Sequence, residues 1–321
     1  MNLNRTARLL LVLAAVAAAP LSASAYSNVV IFGDSLSDSG NNALVIGTNP
    51  DQVVTGNSYV PTFPYASGTY SNGPVWATSF AASLGLSAIP SLAGGSNYAF
   101  GGAQTRGDDA FPLSLRSQVS SYLGTEPSGA GDTLYVIAGG GNNGRAALEA
   151  IAGGAGPLLT ISRTARRYAN DVGIMVDQLQ AIGAQNIVVW NTPDLGLAPA
   201  VTAQGSEAAA VGSTVAGAMN SALAERLAGE QGVTTFDVFG LLNNAVANPG
   251  SFGFSNVTDA CGAVLGCDPS SYLFWDGIHP TSGGHALLAE AMFAAVVPEP
   301  GSVWLIVAGL AGLAVWQRRR A

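Results

Sequence analysis

Residues 28 to 33 read Asn28-Val29-Val30-Ile31-Phe32-Gly33, and the chain continues Asp34-Ser35-Leu36-Ser37-Asp38-Ser39-Gly40-Asn41-Asn42. An uninterrupted apolar run of this kind is what a strand buried on both faces requires, because a half-exposed strand alternates apolar with polar positions. Such strands belong to parallel sheets covered by helices, and the ligands of those sheets gather just beyond the carboxyl ends of the strands. Ser35 therefore stands at the top of the first strand, exposed to a cleft. Taken alone, the Gly33-Asp34-Ser35 turn is a weak motif and reads more readily as an ordinary capping serine. The nucleophile elbow Gly-x-Ser-x-Gly of α/β-hydrolases does not occur at this position.

Further strand-like runs lie at 133–138, 187–191 and 234–238, with a weaker one at 87–92. Helical patterns fall between them, at 74–84, 113–123, 161–182 and 206–230, and a last one follows at 282–294. This alternation predicts βαβ units. No repeat and no Pro/Ser linker divides residues 26–296, so they read as one three-layer α/β/α sandwich with a central parallel sheet.

Composition narrows the class. Charged residues make up 10% of the 321, against about 25% in an average soluble protein. Yet 41 glycines and 16 prolines punctuate the apolar runs, which disfavours both a multi-span membrane protein and a charged disordered chain. All 12 basic residues are arginine, against 20 acids, for a net charge of -8. A nucleic-acid partner is disfavoured by that balance.

Both ends read as addresses rather than as fold. Arg5 and Arg8 precede an apolar run over 9–19, then Pro20 and the small residues Ala23, Ser24 and Ala25. That is the pattern of a secretory signal peptide over 1–25, cut after Ala25. Export implies an oxidising compartment, the periplasm, the cell envelope or the exterior, where Cys261 and Cys267 can pair across the short loop between them. At the other end Val297-Pro298-Glu299-Pro300-Gly301 leads into an apolar stretch over 303–316 and then Arg318, Arg319 and Arg320. The run is short for a span of about 20 residues, but terminal arginines suit the cytoplasmic edge of a membrane. Residues 297–321 are thus expected to tether the chain to the membrane before processing. Arginines leave with both ends while the acids stay in 26–300, so the mature domain is expected to be strongly acidic.

Chemistry is sought at the strand ends. Trp275-Asp276-Gly277-Ile278-His279-Pro280 places an aspartate three residues before a histidine in the loop ahead of the last helix. With Ser35 these residues supply the parts of an acyl-transfer triad in the order Ser, Asp, His. His285, inside the apolar final helix, reads as structural. Oxyanion donors are available in Asn97-Tyr98-Ala99-Phe100-Gly101-Gly102-Ala103 and in Gly139-Gly140-Gly141-Asn142-Asn143, although each could be simply a glycine-rich turn. A dinucleotide loop does not fit, since Gly-x-Gly-x-x-Gly should follow the first strand.

Together the four segments resemble the SGNH family, the GDSL lipases and acylhydrolases, across nearly all of 26–296. The resemblance implies Ser35 as nucleophile, Asp276 and His279 as its charge and base partners, and an oxyanion hole formed by the N–H groups of Ser35 and Gly102 with the Asn142 amide. Asn143 departs from the family's Gly-x-Asn-Asp block, where aspartate is usual. Asp34 and Asp38 are assigned to turn geometry and capping. The tail resembles the PEP-CTERM sorting signal, which implies recognition by an exosortase-type processing enzyme.

These readings converge on a secreted carboxylic-ester hydrolase that needs no metal or cofactor. Its ester substrate would be a lipid, a short-chain ester or an acetylated polysaccharide. An acyltransferase with the same triad, or a non-catalytic envelope-binding protein, are the alternatives.

Overall fold

The computed structural model describes residues 26–297 apart from 59–61 and 108–109. The signal segment expected at 1–25 and the tail beyond Val297 lie outside the described residues.

Four strands, β1 (Asn28–Gly33), β2 (Thr133–Ala138), β3 (Asn186–Trp190) and β4 (Val233–Phe236), lie side by side in the order β1-β2-β3-β4. All three pairings are parallel. The register aligns Val30, Tyr135, Ile187 and Val233 in one row across the sheet.

The helices are α1 (Asn41–Ile46), α2 (Trp76–Ser83), α3 (Leu115–Leu123), α4 (Gly141–Ala152), α5 (Pro157–Ala181), α6 (Pro199–Thr202), α7 (Ser206–Leu227), α8 (Val238–Ala247) and α9 (Ser282–Val296). One sheet face, with Val30, Phe32, Tyr135, Ile137 and Val189, packs on Leu115 of α3, Tyr168 and Met175 of α5 and Met219 of α7. The other, with Val29, Ile31, Leu134, Val136 and Trp190, packs on Trp76 and Phe80 of α2 and Met292 of α9. Alternate residues of one strand thus enter two separate cores, which is why the strands read as continuous apolar runs. The architecture is the expected three-layer α/β/α sandwich.

Several expectations are corrected. The weak strand expected at 87–92 does not form. Residues 96–100 run along the free edge of β1 instead. Ile31 N–H donates to Ser96 O (3.1 Å), Tyr98 N–H to Ile31 O (2.7 Å) and Phe100 N–H to Gly33 O (3.2 Å). The strand expected to reach Val238 ends at Phe236, because Asp237 accepts from Gly240 N–H and caps α8. Helix α5 begins four residues before the expected 161, with Pro157 at its first turn, where the missing N–H costs nothing. A second, two-stranded parallel sheet, β5 (Asn256–Ala260) with β6 (Tyr272–Phe274), was not legible in the sequence. No helix among the described residues is long and apolar enough to cross a membrane.

Candidate active site

The site is built on the carboxyl end of β1. A Cβ at Gly33 would lie 2.6 Å from Ala138 O, so only glycine lets β1 end this close to β2. The buried amide of Gln118 on α3 holds this residue from both sides, its Oε1 accepting from Gly33 N–H and its Nε2 donating to Gly33 O, each at 2.9 Å. The chain then turns on Asp34, whose carbonyl accepts from the N–H groups of Ser37 and Asp38 (3.0 Å each) and whose Oδ1 accepts from Leu36 N–H (3.1 Å).

Asp38 does more than cap. Its Oδ1 accepts from the N–H groups of Gly40 (2.9 Å) and Asn41 (2.7 Å), and its Oδ2 from those of Asn42 (3.2 Å) and Gly101 (3.0 Å). One carboxylate therefore fixes the start of α1 and ties the Gly101-Gly102 segment to the serine turn.

Asp276 and His279 come from the loop between β6 and α9, and they meet Ser35 in a buried chain of hydrogen bonds. His279 Nε2 lies 2.8 Å from Ser35 Oγ, and His279 Nδ1 lies 2.7 Å from Asp276 Oδ2. Oδ1 of Asp276 accepts from the N–H groups of Ile278 (2.9 Å) and His279 (2.8 Å). Burial alone would raise the Asp276 pKa. The charge of His279 and these hydrogen bonds outweigh it and hold the carboxyl below its usual value.

Two tyrosines complete the wall. Tyr65 donates to Asp276 Oδ2 at 2.7 Å, and the ring of Tyr70 stacks on His279 with centroids 5.5 Å apart. Asn42 Nδ2 donates to the Tyr70 hydroxyl at 2.7 Å. Asp34 is the other buried acid here. Burial pushes its pKa up to about 6, against the Leu36 N–H and the charges of His279 and Arg145, which lower it.

The candidate oxyanion donors lie on segments that the sheet brings to one edge. Among the described residues neither Ser35 N–H nor Gly102 N–H has a hydrogen-bond acceptor. Asn142 sits in the first turn of α4 and donates one amide hydrogen to Ala103 O at 3.0 Å. The departure at Asn143 has a local explanation. Its Oδ1 accepts from Thr105 N–H and its Nδ2 donates to Thr105 Oγ1, both at 3.0 Å, and Thr105 Oγ1 in turn donates to buried Asp171 at 3.2 Å. An aspartate at 143 would set a second carboxylate against the same hydroxyl.

A cavity of about 1020 Å³ opens from Ser35 and His279. Its walls are mostly apolar, with Leu148 and Ile151 of α4, Leu241 of α8 and Ile278 among them. Of the residues singled out in the sequence, the structure joins Ser35, His279 and Asp276 by hydrogen bonds, and sequence reasoning did not single out Tyr65, Tyr70, Gln118 or the Thr105–Asp171 support. Tyr65 and Asp276 lie 211 residues apart, and no local pattern marks such a pair.

His285 is buried in α9, where its Nδ1 accepts from Trp76 N–H at 3.2 Å. Burial pushes its pKa down to about 3, so the ring is neutral. Cys261 and Cys267 form a disulfide with Cα atoms 5.6 Å apart. Gly262 N–H donates to Trp275 O at 2.8 Å and joins this short loop to the segment entering Asp276. Among the described residues no group of three or more His, Cys, Asp or Glu could hold a metal ion.

Comparison with known proteins bears on this arrangement. Residues 296–320 match the PEP-CTERM protein-sorting motif, a motif of export and envelope sorting. Esterase EstA of Pseudomonas aeruginosa is 30% identical over 330 residues, covering 87% of this chain and 48% of the relative. The chain thus spans about half the length of the Pseudomonas esterases it matches. The GDSL esterase/lipase LTL1 of Arabidopsis thaliana is 26% identical over 319 residues, covering 81% of this chain and 84% of the relative. A phosphatidylcholine-sterol acyltransferase of Aeromonas hydrophila is 24% identical over 320 residues, covering 83% and 89%. The model of the GDSL-like Lipase/Acylhydrolase family matches residues 29–292, which hold β2 to β4, all of β1 but Asn28 and every residue of the Ser35 site, and the chain belongs to that family.

Proposed function

We propose that this protein is an exported carboxylic-ester hydrolase that works through an acyl-enzyme on Ser35. The observation that carries the reading is the continuous chain from Ser35 Oγ to His279 Nε2 (2.8 Å) and from His279 Nδ1 to Asp276 Oδ2 (2.7 Å). His279 takes the proton of Ser35 as the oxygen attacks the ester carbonyl, and Asp276 fixes the imidazole tautomer and stabilises the cation. The N–H groups of Ser35 and Gly102 and the Asn142 amide receive the oxyanion, each such donor being worth about 3 kcal/mol of barrier. His279 then gives its proton to the leaving alcohol, and a water deprotonated by His279 releases the acid.

The apolar cavity favours esters with a medium or long acyl chain over acetyl groups, since each buried CH₂ contributes about 0.8 kcal/mol. Export by residues 1–25, a hydrolase domain over 26–296 and exosortase processing within 297–321 belong to the same proposal.

Ser35→Ala tests the mechanism. Hydrolysis of an activated ester is expected to fall by several powers of ten with the fold retained, and a serine-reactive phosphonate is expected to label Ser35 alone. Near wild-type turnover in folded Ser35→Ala would refute the assignment. Acyl transfer is the second reading, favoured by the name of the Aeromonas relative. Partition of the acyl group between water and an added alcohol separates the two.

A further inference from the structure

Outside the Ser35 site, the chain concentrates two unusual features at the start of α5. Residues 152–159, Ala-Gly-Gly-Ala-Gly-Pro-Leu-Leu, carry no polar side chain, yet all eight are exposed, Leu158 at 87% and Leu159 at 52%. Immediately behind them come Arg163, Arg166 and Arg167. With 20 acids in the chain, none occurs between Glu149 and Asp171. Arg163, Arg166 and Arg167 form no ion pair among the described residues. Together with Arg106 and Asn170 they line a cavity of about 440 Å³ that is separate from the catalytic one.

The spacing sets Leu159 and two of the three arginines on one helix face. Leu159, Arg163, Arg166 and Asn170 follow at intervals of four, three and four residues, one stripe of an α-helix. At about 1.5 Å of rise per residue, Arg163 lies roughly 6 Å and Arg167 roughly 12 Å behind Leu159. An apolar tip entering a membrane to about 5–10 Å would hold its arginines at the level of the phosphates, and each arginine near an anionic surface adds about 1 kcal/mol. Exposed leucines have no such use if the arginines serve only solubility or bind a water-dissolved polyanion.

We propose that residues 152–159 and Arg163, Arg166 and Arg167 form a docking element for an anionic lipid surface, the leucines entering the acyl layer and the arginine cavity taking a lipid phosphate. Ala152 and Ile151 also line the catalytic cavity, so the element continues directly from its apolar wall. If the esterase reading holds, docking brings the mouth of that cavity to the lipid. The binding claim itself does not depend on catalysis.

The test uses the full chain with a polarity-sensitive dye on Leu158→Cys, which is selective without reductant because Cys261 and Cys267 are paired. A second labelled protein, Ser83→Cys, reports from exposed α2 on the opposite layer of the sandwich. Vesicles of phosphatidylcholine containing phosphatidylglycerol are expected to brighten and blue-shift the dye at 158. Pure phosphatidylcholine vesicles, inorganic phosphate and the dye at 83 are expected to give no response. Combining Arg163→Glu, Arg166→Glu and Arg167→Glu should weaken the response about tenfold or more, with hydrolysis of a water-soluble ester unchanged as the check on folding. Leu158→Ser with Leu159→Ser, followed by a dye on Ala155→Cys, should abolish the response without touching the charges. Silence at 158, equal response to neutral vesicles, response at 83, or capture by an acidic polysaccharide in place of vesicles would each overturn the proposal.

Discussion

The phenol of Tyr65 donates to Asp276 Oδ2 at 2.7 Å, the same oxygen that faces His279 Nδ1 at 2.7 Å. With two backbone N–H groups on Oδ1, the carboxylate has a donor at each of its four acceptor sites. It has no freedom to rotate away from the histidine. Tyr65→Phe removes one charge-assisted hydrogen bond of four, so kcat for a soluble ester is expected to fall about tenfold with KM little changed. A kcat within about twofold of wild type would show that the remaining three suffice.

Asp34→Asn separates the cost of a buried charge from the geometry of the turn. The folded-state pKa of Asp34 is raised to about 6 from 3.8. Its contribution to stability is therefore complete below about pH 4 and lost as pH rises through about 6. Asparagine keeps the acceptor for Leu36 N–H and has no such loss. The stability of the variant relative to wild type is expected to grow by up to about 3 kcal/mol between pH 4 and pH 8. Denaturant melts at the two values measure it, and a pH-independent difference would refute it.

His285 works in the other direction. Its pKa is depressed to about 3 from 6.5, so it contributes stability that is present above pH 6.5 and lost as pH falls toward 3. His285→Asn preserves an acceptor for Trp76 N–H but cannot take up a proton. Acid unfolding of the variant is expected to be shallower across that window, by up to about 5 kcal/mol, even where lost ring packing lowers its stability at pH 7. Parallel acid titrations of wild type and variant would contradict a buried neutral imidazole.

Asn143→Asp restores the residue usual in the family and is nevertheless expected to harm this protein. The Thr105 hydroxyl has one hydrogen, already given to Asp171, and a carboxylate at 143 can neither donate to it nor pair with Asp171. Thermal or denaturant unfolding should show a loss of about 1–3 kcal/mol, and turnover should fall because Asn142 is its immediate neighbour. Combining it with Asp171→Asn should recover part of both. A stabilised single variant would show that the Thr105 chain reorganises freely.

The sheet was legible because β1, β2 and β3 are short apolar runs feeding two cores, a pattern with few other solutions, while β4, Val-Thr-Thr-Phe with both threonines exposed, is the weaker edge of it. Ser35, Asp276 and His279 were legible because each lies at the end of such a run or ahead of a clear helix. The edge at 96–100 was not, since Ser96, Asn97 and Tyr98 break any apolar run, and Asn97 is held by isolated bridges to Ile31 of β1 and to Pro90. Helix α4 opens on Gly141-Asn142-Asn143-Gly144, all poor helix formers. Tertiary packing overrides that, because a Cβ at Gly144 would run into the Leu195 side chain. Strand β5 reads Asn-Val-Thr-Asp-Ala, which is turn-like in composition. The supports of the site escaped for a different reason. Gln118 on Gly33, Tyr65 on Asp276 and Asp171 on Thr105 are contacts across 85, 211 and 66 residues, and only the completed fold creates them.

On the proposed mechanism, the separation of Ser35 from His279 by 244 residues also sets when the protein becomes chemically competent. A chain that emerges amino end first presents its serine early, but the base arrives only with the loop ahead of α9, after all four strands of the main sheet. Until that loop docks, Ser35 is an ordinary alcohol. On the proposed mechanism, an unfinished or misfolded chain therefore holds no activated nucleophile to turn on the esters of the cell that makes it.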